Sequence, residues 1–154
     1  MSHQSIQVAQ IGPWVFEIPE EWSHKENESS NSYFEASDGS KGLYVKAIEL
    51  SEAKTTPEEF AEYIQNAHLR GFIYGGESNW EIVNQTSSNE HLITRSLLDL
   101  YDEQASYRVL SLVVCDCKSA VQIAVHDYLC ESYCETQEAF AQLESSITRL
   151  PSAA

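Results

Sequence analysis

Four alternating runs in the second half restrict this chain more than any other feature: Trp80 to Thr86, His91 to Tyr101, Ser106 to Cys115 and Ala120 to His126. Successive side chains of an extended strand point to opposite faces, so a period of two marks strands rather than helices. In the third run Leu110, Leu112 and Val114 fall on one side, with Tyr107, Val109, Val113 and Cys115 on the other. In the fourth, Val121, Ile123 and Val125 share the inward side. Asp102-Glu103-Gln104 and Asp116-Cys117-Lys118-Ser119 separate the runs and have turn composition. Connections this short join antiparallel neighbours, because parallel strands need a long crossover.

The first half adds shorter strands and one helix. Trp14-Val15-Phe16-Glu17-Ile18 is a strand that Pro19 stops, since proline has no N–H for a ladder. Tyr33-Phe34-Glu35-Ala36 and Leu43 to Leu50 flank a turn, Ser37 to Gly42, and Leu43 to Leu50 carries apolar residues on both faces. Thr56 caps a helix whose first position suits Pro57, and Glu59 completes the capping box. Phe60, Ile64 and Ala67 form its apolar stripe with Tyr63 beside it, and Gly71 is the expected stop. A closing helix is expected from about Cys134 to Leu150, with Phe140, Leu143, Ile147 and Leu150 at helical spacing, and with Ser132 and Glu135, or Thr136 alone, as cap. Ser23 to Ser32 reads as a mobile polar loop and residues 151–154 as a frayed tail. The expected architecture is α+β: an antiparallel sheet of six to seven strands flanked by two main helices, in a single domain of residues 1–154.

Composition narrows the function classes. Twenty-four acidic residues against nine basic ones give a formal net charge of −15. Nucleic-acid phosphates and anionic membranes attract Lys and Arg, so neither is an expected partner; a basic protein is. The N-terminus has no basic or long apolar segment of a secretory signal, which points to the cytoplasm. There the four cysteines, Cys115, Cys117, Cys130 and Cys134, are expected as free thiols.

Phe16-Glu17-Ile18-Pro19-Glu20-Glu21-Trp22 matches an "apolar-x-Pro-x-x-Trp" opening, and through it the chain resembles the PsbP-like superfamily. The order of elements after it, including the Thr56 helix and the closing helix with Phe140 and Ile147, is similar too. That superfamily includes photosystem lumenal subunits, a small Ran-binding import factor, bacterial envelope proteins and chaperones that load type VI secretion effectors. The resemblance implies a fold and a bias toward protein binding over catalysis. It carries over no binding residue.

Several clusters invite chemistry. Cys115-x-Cys117 and Cys130-x-x-x-Cys134 bracket His126, a set of zinc-type ligands, although Cys-x-Cys is tighter than zinc knuckles use and Cys115 sits in a strand. Neither a metal nor another cofactor is expected. Cys130 or Cys134 near a helix start, with His126 and Asp127, resembles the set of a hydrolase-like enzyme, but Glu131 and Glu135 oppose thiolate and no glycine-rich oxyanion loop accompanies them. Gly75-Gly76 lacks the Lys-Ser/Thr of a phosphate loop. A contact surface fits better. Tyr101, flanked by Asp99, Asp102 and Glu103, is the first choice for an interface anchor, joined by Trp14 and Trp80. The expectation is a non-catalytic binding domain with no catalytic residue: a bacterial adaptor or chaperone of a secretion apparatus, or an immunity protein against a toxin. The alternative is the small enzyme using Cys130 or Cys134 with His126.

Overall fold

The four alternating runs lie side by side in one antiparallel sheet. The computed structural model describes residues 5–25, 32–49, 56–74, 79–91, 93–116 and 118–150. In chain order the elements are β1 (Ile6–Ile11), β2 (Trp14–Pro19), β3 (Ser23–Lys25), β4 (Ser32–Glu35), β5 (Lys41–Glu49) and α1 (Pro57–Tyr74). They continue with β6 (Glu81–Glu90), β7 (Ile93–Asp102), β8 (Tyr107–Cys115), β9 (Ser119–Asp127), α2 (Tyr133–Ser146) and β10 (Thr148–Arg149). Among the described residues, β3-β4-β5-β9-β8-β7-β6 make a seven-stranded sheet, and β1-β2-β10 a three-stranded one. Every pairing among the described residues is antiparallel; short connections require it between chain neighbours, whereas β5–β9 and β2–β10 pair segments far apart in the chain.

Alternation decides which face each residue serves. Leu43 and Val45 of β5, Leu110, Leu112 and Val114 of β8, and Val121, Ile123 and Val125 of β9 point to one side of the large sheet. There they meet Trp14, Phe16 and Ile18 of β2 and Phe140 and Leu143 of α2. The opposite face presents Leu98, Leu100, Val109, Val113, Cys115, Ala120 and Ala124. Helix α1 lies over β7 and β8 on that side, burying Ala61 and Ile64. The layers are therefore α1, the large sheet, and the small sheet with α2.

Caps set both helices. The Glu59 amide donates to Thr56 Oγ1 over 3.2 Å, and the Glu135 amide donates to Ser132 Oγ over 3.4 Å. Neither helix ends where its residue pattern indicates. Helix α1 runs through Gly71 to Tyr74, and Phe72 beyond the glycine packs edge-on to Trp80 at 5.1 Å between ring centroids. Its buried side is also turned: Ala67 and Tyr63 are exposed, while Gln65 and Ile64 are buried. Helix α2 stops at Ser146, not Leu150, because the chain extends at Ile147 and β10 pairs with β2, Thr148 opposite Val15 and Arg149 opposite Trp14. An Arg149–Asp116 ion pair and the Leu150 amide donating to the Pro13 carbonyl, 2.7 Å, fix that return.

Three further differences concern the strands. Ile6–Ile11 forms β1, unanticipated from the sequence. Ser23–Lys25, read as loop, pairs with Glu35 to Tyr33 as β3; the rest of that run up to Asn31, the tail 151–154, Gly75-Gly76 and Leu50 lie outside the described residues. Strand β6 is exposed along its whole length, so its alternation buries neither face. It is one edge of the large sheet, and Asn89 Nδ2 near its end donates to the Glu58 carboxylate of α1. No helix among the described residues is long and apolar enough to cross a membrane.

Candidate functional site

A groove of about 790 Å³ runs between α2 and the end of β2. Its floor is apolar: Ile18, Trp22, Leu43, Val125 and Leu143. All five belong to the central core or its border, since Pro19 ends β2 and lets Trp22 turn inward. A bond from Gln7 Nε2 to the Trp22 carbonyl, 2.6 Å, ties this corner to β1, and the Glu17 amide donates to Ser146 Oγ over 2.8 Å, holding β2 to the end of α2. The groove is thus walled by β2 and α2, with Glu21 and Trp22 supplied by the short turn between β2 and β3.

Its rim is negative. Glu17 and Glu21 stand on the β2 side, Glu135 and Glu138 on the α2 side, and all four are exposed. Lys41 is the one basic residue among the described residues lining the groove. Strand geometry explains Glu17: it alternates with Phe16 and Ile18, which enter the core. Helix geometry explains Glu135 and Glu138, three positions apart on one flank and near the positive end of α2. Glu21 accepts from Ser37 Oγ over 2.8 Å. Such a channel can take an extended segment with apolar side chains inward and cations at the edges.

The residues chosen from sequence as contacts are placed differently. Trp14 is 1% exposed and packs in the core, so it cannot reach a partner. Asp99, 6% exposed, receives Arg108 Nε and Nη2 over 3.1 and 2.8 Å. Arg108 is itself buried, donates Nη1 to the Tyr133 carbonyl over 2.8 Å and lies 3.9 Å from the centroid of the Tyr133 ring. Asp102 is buried too, accepting from the amides of Gln104 and Ala105 to close the β7–β8 hairpin. These carboxylates serve the fold. Tyr101 is half-buried, edge-on to Tyr133 at 5.1 Å, and Trp80 is half-buried between Phe72 and Tyr107. Glu103 alone of the six is exposed. The groove residues were missed, although the motif that carries the family resemblance contains Glu17, Glu21 and Trp22.

The proposed cysteine set is split by strand alternation. His126 faces the α1 side, where Tyr107 Oη lies 2.6 Å from its Nδ1, while Asp127 faces α2 and accepts from Thr136 Oγ1. Cys130 is buried on Asp127's side with its sulfur 3.7 Å from Thr136 Oγ1, and Cys134 is exposed on α2. Cys117 lies outside the described residues; among those described, no three His, Cys, Asp or Glu side chains converge as metal ligands would.

His126 belongs instead to an aromatic layer with Tyr44, Tyr107, Tyr128, Phe72 and His68. Burial pushes the His68 pKa down to about 4; burial, then the neighbouring His68, pushes His126 down to about 3. Burial likewise raises Tyr107 to about 12. All three groups are neutral near pH 7.

No family model matches the chain, and no curated protein matches it. Among solved structures it is similar to the solution structure of cyanobacterial PsbP (CyanoP) from Synechocystis sp. PCC 6803, with a TM-score of 0.73 at 13% identity. The similarity covers 96% of this chain and 94% of that one. The chain has a PsbP-like fold.

Proposed function

Since a PsbP-like fold by itself fixes no activity, we propose from the groove that this chain is a non-catalytic protein-binding domain for a basic partner. An adaptor or chaperone of a bacterial secretion apparatus, or an immunity protein against a toxin, would use such a surface. One observation carries the reading: an apolar channel framed on both sides by Glu17, Glu21, Glu135 and Glu138. Apolar side chains of the partner would lie over the floor at Trp22 and Leu143, both almost buried, and the carboxylates choose the partner. Each exposed ion pair contributes only about 0.2–1 kcal/mol, so the rim acts chiefly on association rate, where complementary fields give roughly 10- to 1,000-fold. A basic toxin surface that normally holds nucleic-acid phosphate would meet the same field.

The test starts with capture from the native host of a stoichiometric protein partner, followed by stopped-flow association at low and high salt. The rate is expected to fall at least tenfold between about 20 and 300 mM salt as the Debye length shortens. It is expected to fall similarly, with little change in dissociation, in the Glu17→Gln/Glu21→Gln/Glu135→Gln/Glu138→Gln variant. A partner that binds the wild type and this variant at equal, salt-independent rates would refute the assignment.

A further inference from the structure

On the opposite side of the large sheet, a second cavity of about 260 Å³ is lined by Tyr44 and Lys46 of β5, Gln122, Ala124 and His126 of β9, and His68 of α1. The five strand residues occupy alternate positions of two paired strands, with Lys46 opposite Gln122 and Tyr44 opposite Ala124. They form one floor, and α1 supplies the wall.

The hydrogen bonds around the cavity fix what it offers. Gln65 is 1% exposed and donates Nε2 to the carbonyls of Ser96 and Ser111, over 2.7 and 3.0 Å. Its Oε1 therefore accepts, and Ser111 Oγ supplies the hydrogen over 3.2 Å. Having given up its one hydrogen, Ser111 Oγ must accept from His68, 3.0 Å from Nδ1. A neutral ring with its proton on Nδ1 presents Nε2 as a lone pair. His126 has the reverse arrangement when Tyr107 Oη, which has no other hydrogen-bond partner among the described residues, donates its hydrogen to Nδ1 over 2.6 Å and so leaves the proton on Nε2. Gln122 adds a buried Nε2 that has no hydrogen-bond partner among the described residues. An orphaned buried amide costs about 1–3 kcal/mol, which a ligand oxygen would recover once the half-buried Gln122 side chain turns its Nε2 into the cavity. The site thus combines donors at His126 and Gln122, the Lys46 ammonium at its exposed mouth, an acceptor at His68 and the Tyr44 ring in its floor.

We propose that this cavity binds a small planar carboxylate bearing a hydroxyl, its carboxylate received by Gln122, His126 and Lys46 and its hydroxyl donated to His68. No Asp or Glu lines the cavity, so the local charge is that of Lys46 despite the formal net charge of −15. At physiological salt, surface carboxylates beyond about 8 Å are largely screened. Two histidines that stay neutral at pH 7 keep this donor and acceptor pattern constant. The site lies across the sheet from the acidic groove and is independent of the function proposed for that groove.

The experiment is calorimetric titration of the full chain with 4-hydroxybenzoate, benzoate and phenol, with the histidine ring resonances followed by NMR. Saturable binding of 4-hydroxybenzoate is expected, with the His68 and His126 resonances shifting. Benzoate and phenol are each expected to bind at least fivefold more weakly. Lys46→Gln, at an exposed position that leaves folding intact, and Gln122→Leu are each expected to weaken binding about tenfold. Phenol binding as tightly as 4-hydroxybenzoate, Lys46→Gln binding it unchanged, or no saturable binding of any probe up to 10 mM would each overturn the proposal.

Discussion

Asp99→Ala is the substitution that best separates a fold role from a contact role. In the structure Asp99 holds Arg108 through two bonds of 3.1 and 2.8 Å, and the two side chains are 8% and 2% exposed. Removing one partner of a buried pair strands the other charge, which costs about 3–5 kcal/mol. For a chain of this size that corresponds to a fall in Tm of roughly 6–20 °C, at about 2–4 °C per kcal/mol. Part of the Arg108 charge would still be met by the Tyr133 ring and carbonyl, which places the expectation near the lower end. Urea unfolding at pH 7 gives the difference directly. Replacing Arg108 as well, in Asp99→Ala/Arg108→Met, removes the stranded cation and should recover about half the loss or more, a coupling readable from the double-mutant cycle. A loss below about 1 kcal/mol for Asp99→Ala would mean that the pair is well solvated, and the structural reading of Asp99 would fall.

The two buried histidines give a pH signature. Their folded-state values of about 4 and about 3 lie below the ordinary 6.5, so below pH 6.5 the unfolded chain binds more protons. Their contribution is then complete above pH 6.5 and declines by up to about 1.4 kcal/mol per ring per pH unit as pH falls toward 4. NMR should show both rings neutral at pH 5, and His126→Asn should lose less stability than wild type between pH 6.5 and 5; a ring titrating near 6.5 would contradict this. At Gly42, an added methyl would overlap the Tyr33 ring and lie 2.6 Å from Tyr128 Oη, in the space under a hydroxyl pair 3.1 Å apart. Gly42→Ala is expected to cost about 1–3 kcal/mol in urea unfolding, and a neutral result would show that both tyrosines swing away freely.

Local pattern carried most of the fold. The faces assigned to Leu110, Leu112, Val114, Val121, Ile123 and Val125 are those found, because a strand's period of two is a property of the backbone. The caps at Thr56 and Ser132 were equally legible, being hydrogen bonds within four residues. The errors came where a residue's partner lies far along the chain. Ile147 to Leu150 continue the helical spacing of α2, yet pairing with β2 pulls them out. Trp14 and Asp99 look like surface anchors until β2 and Arg108 take them inside.

The amino-acid order alone determined an antiparallel α+β chain with strong negative charge, since periodicity, turn chemistry and composition are read along a single segment. Only the tertiary structure decided where that charge gathers and which polar groups converge. Glu17 and Glu21 meet Glu135 and Glu138 across more than a hundred residues. His126 and Asp127, neighbours in the chain, are sent to opposite sides of the sheet, while His68 is brought to His126 from a helix. Sites are made by side chains meeting in space, and that meeting depends on packing between distant segments.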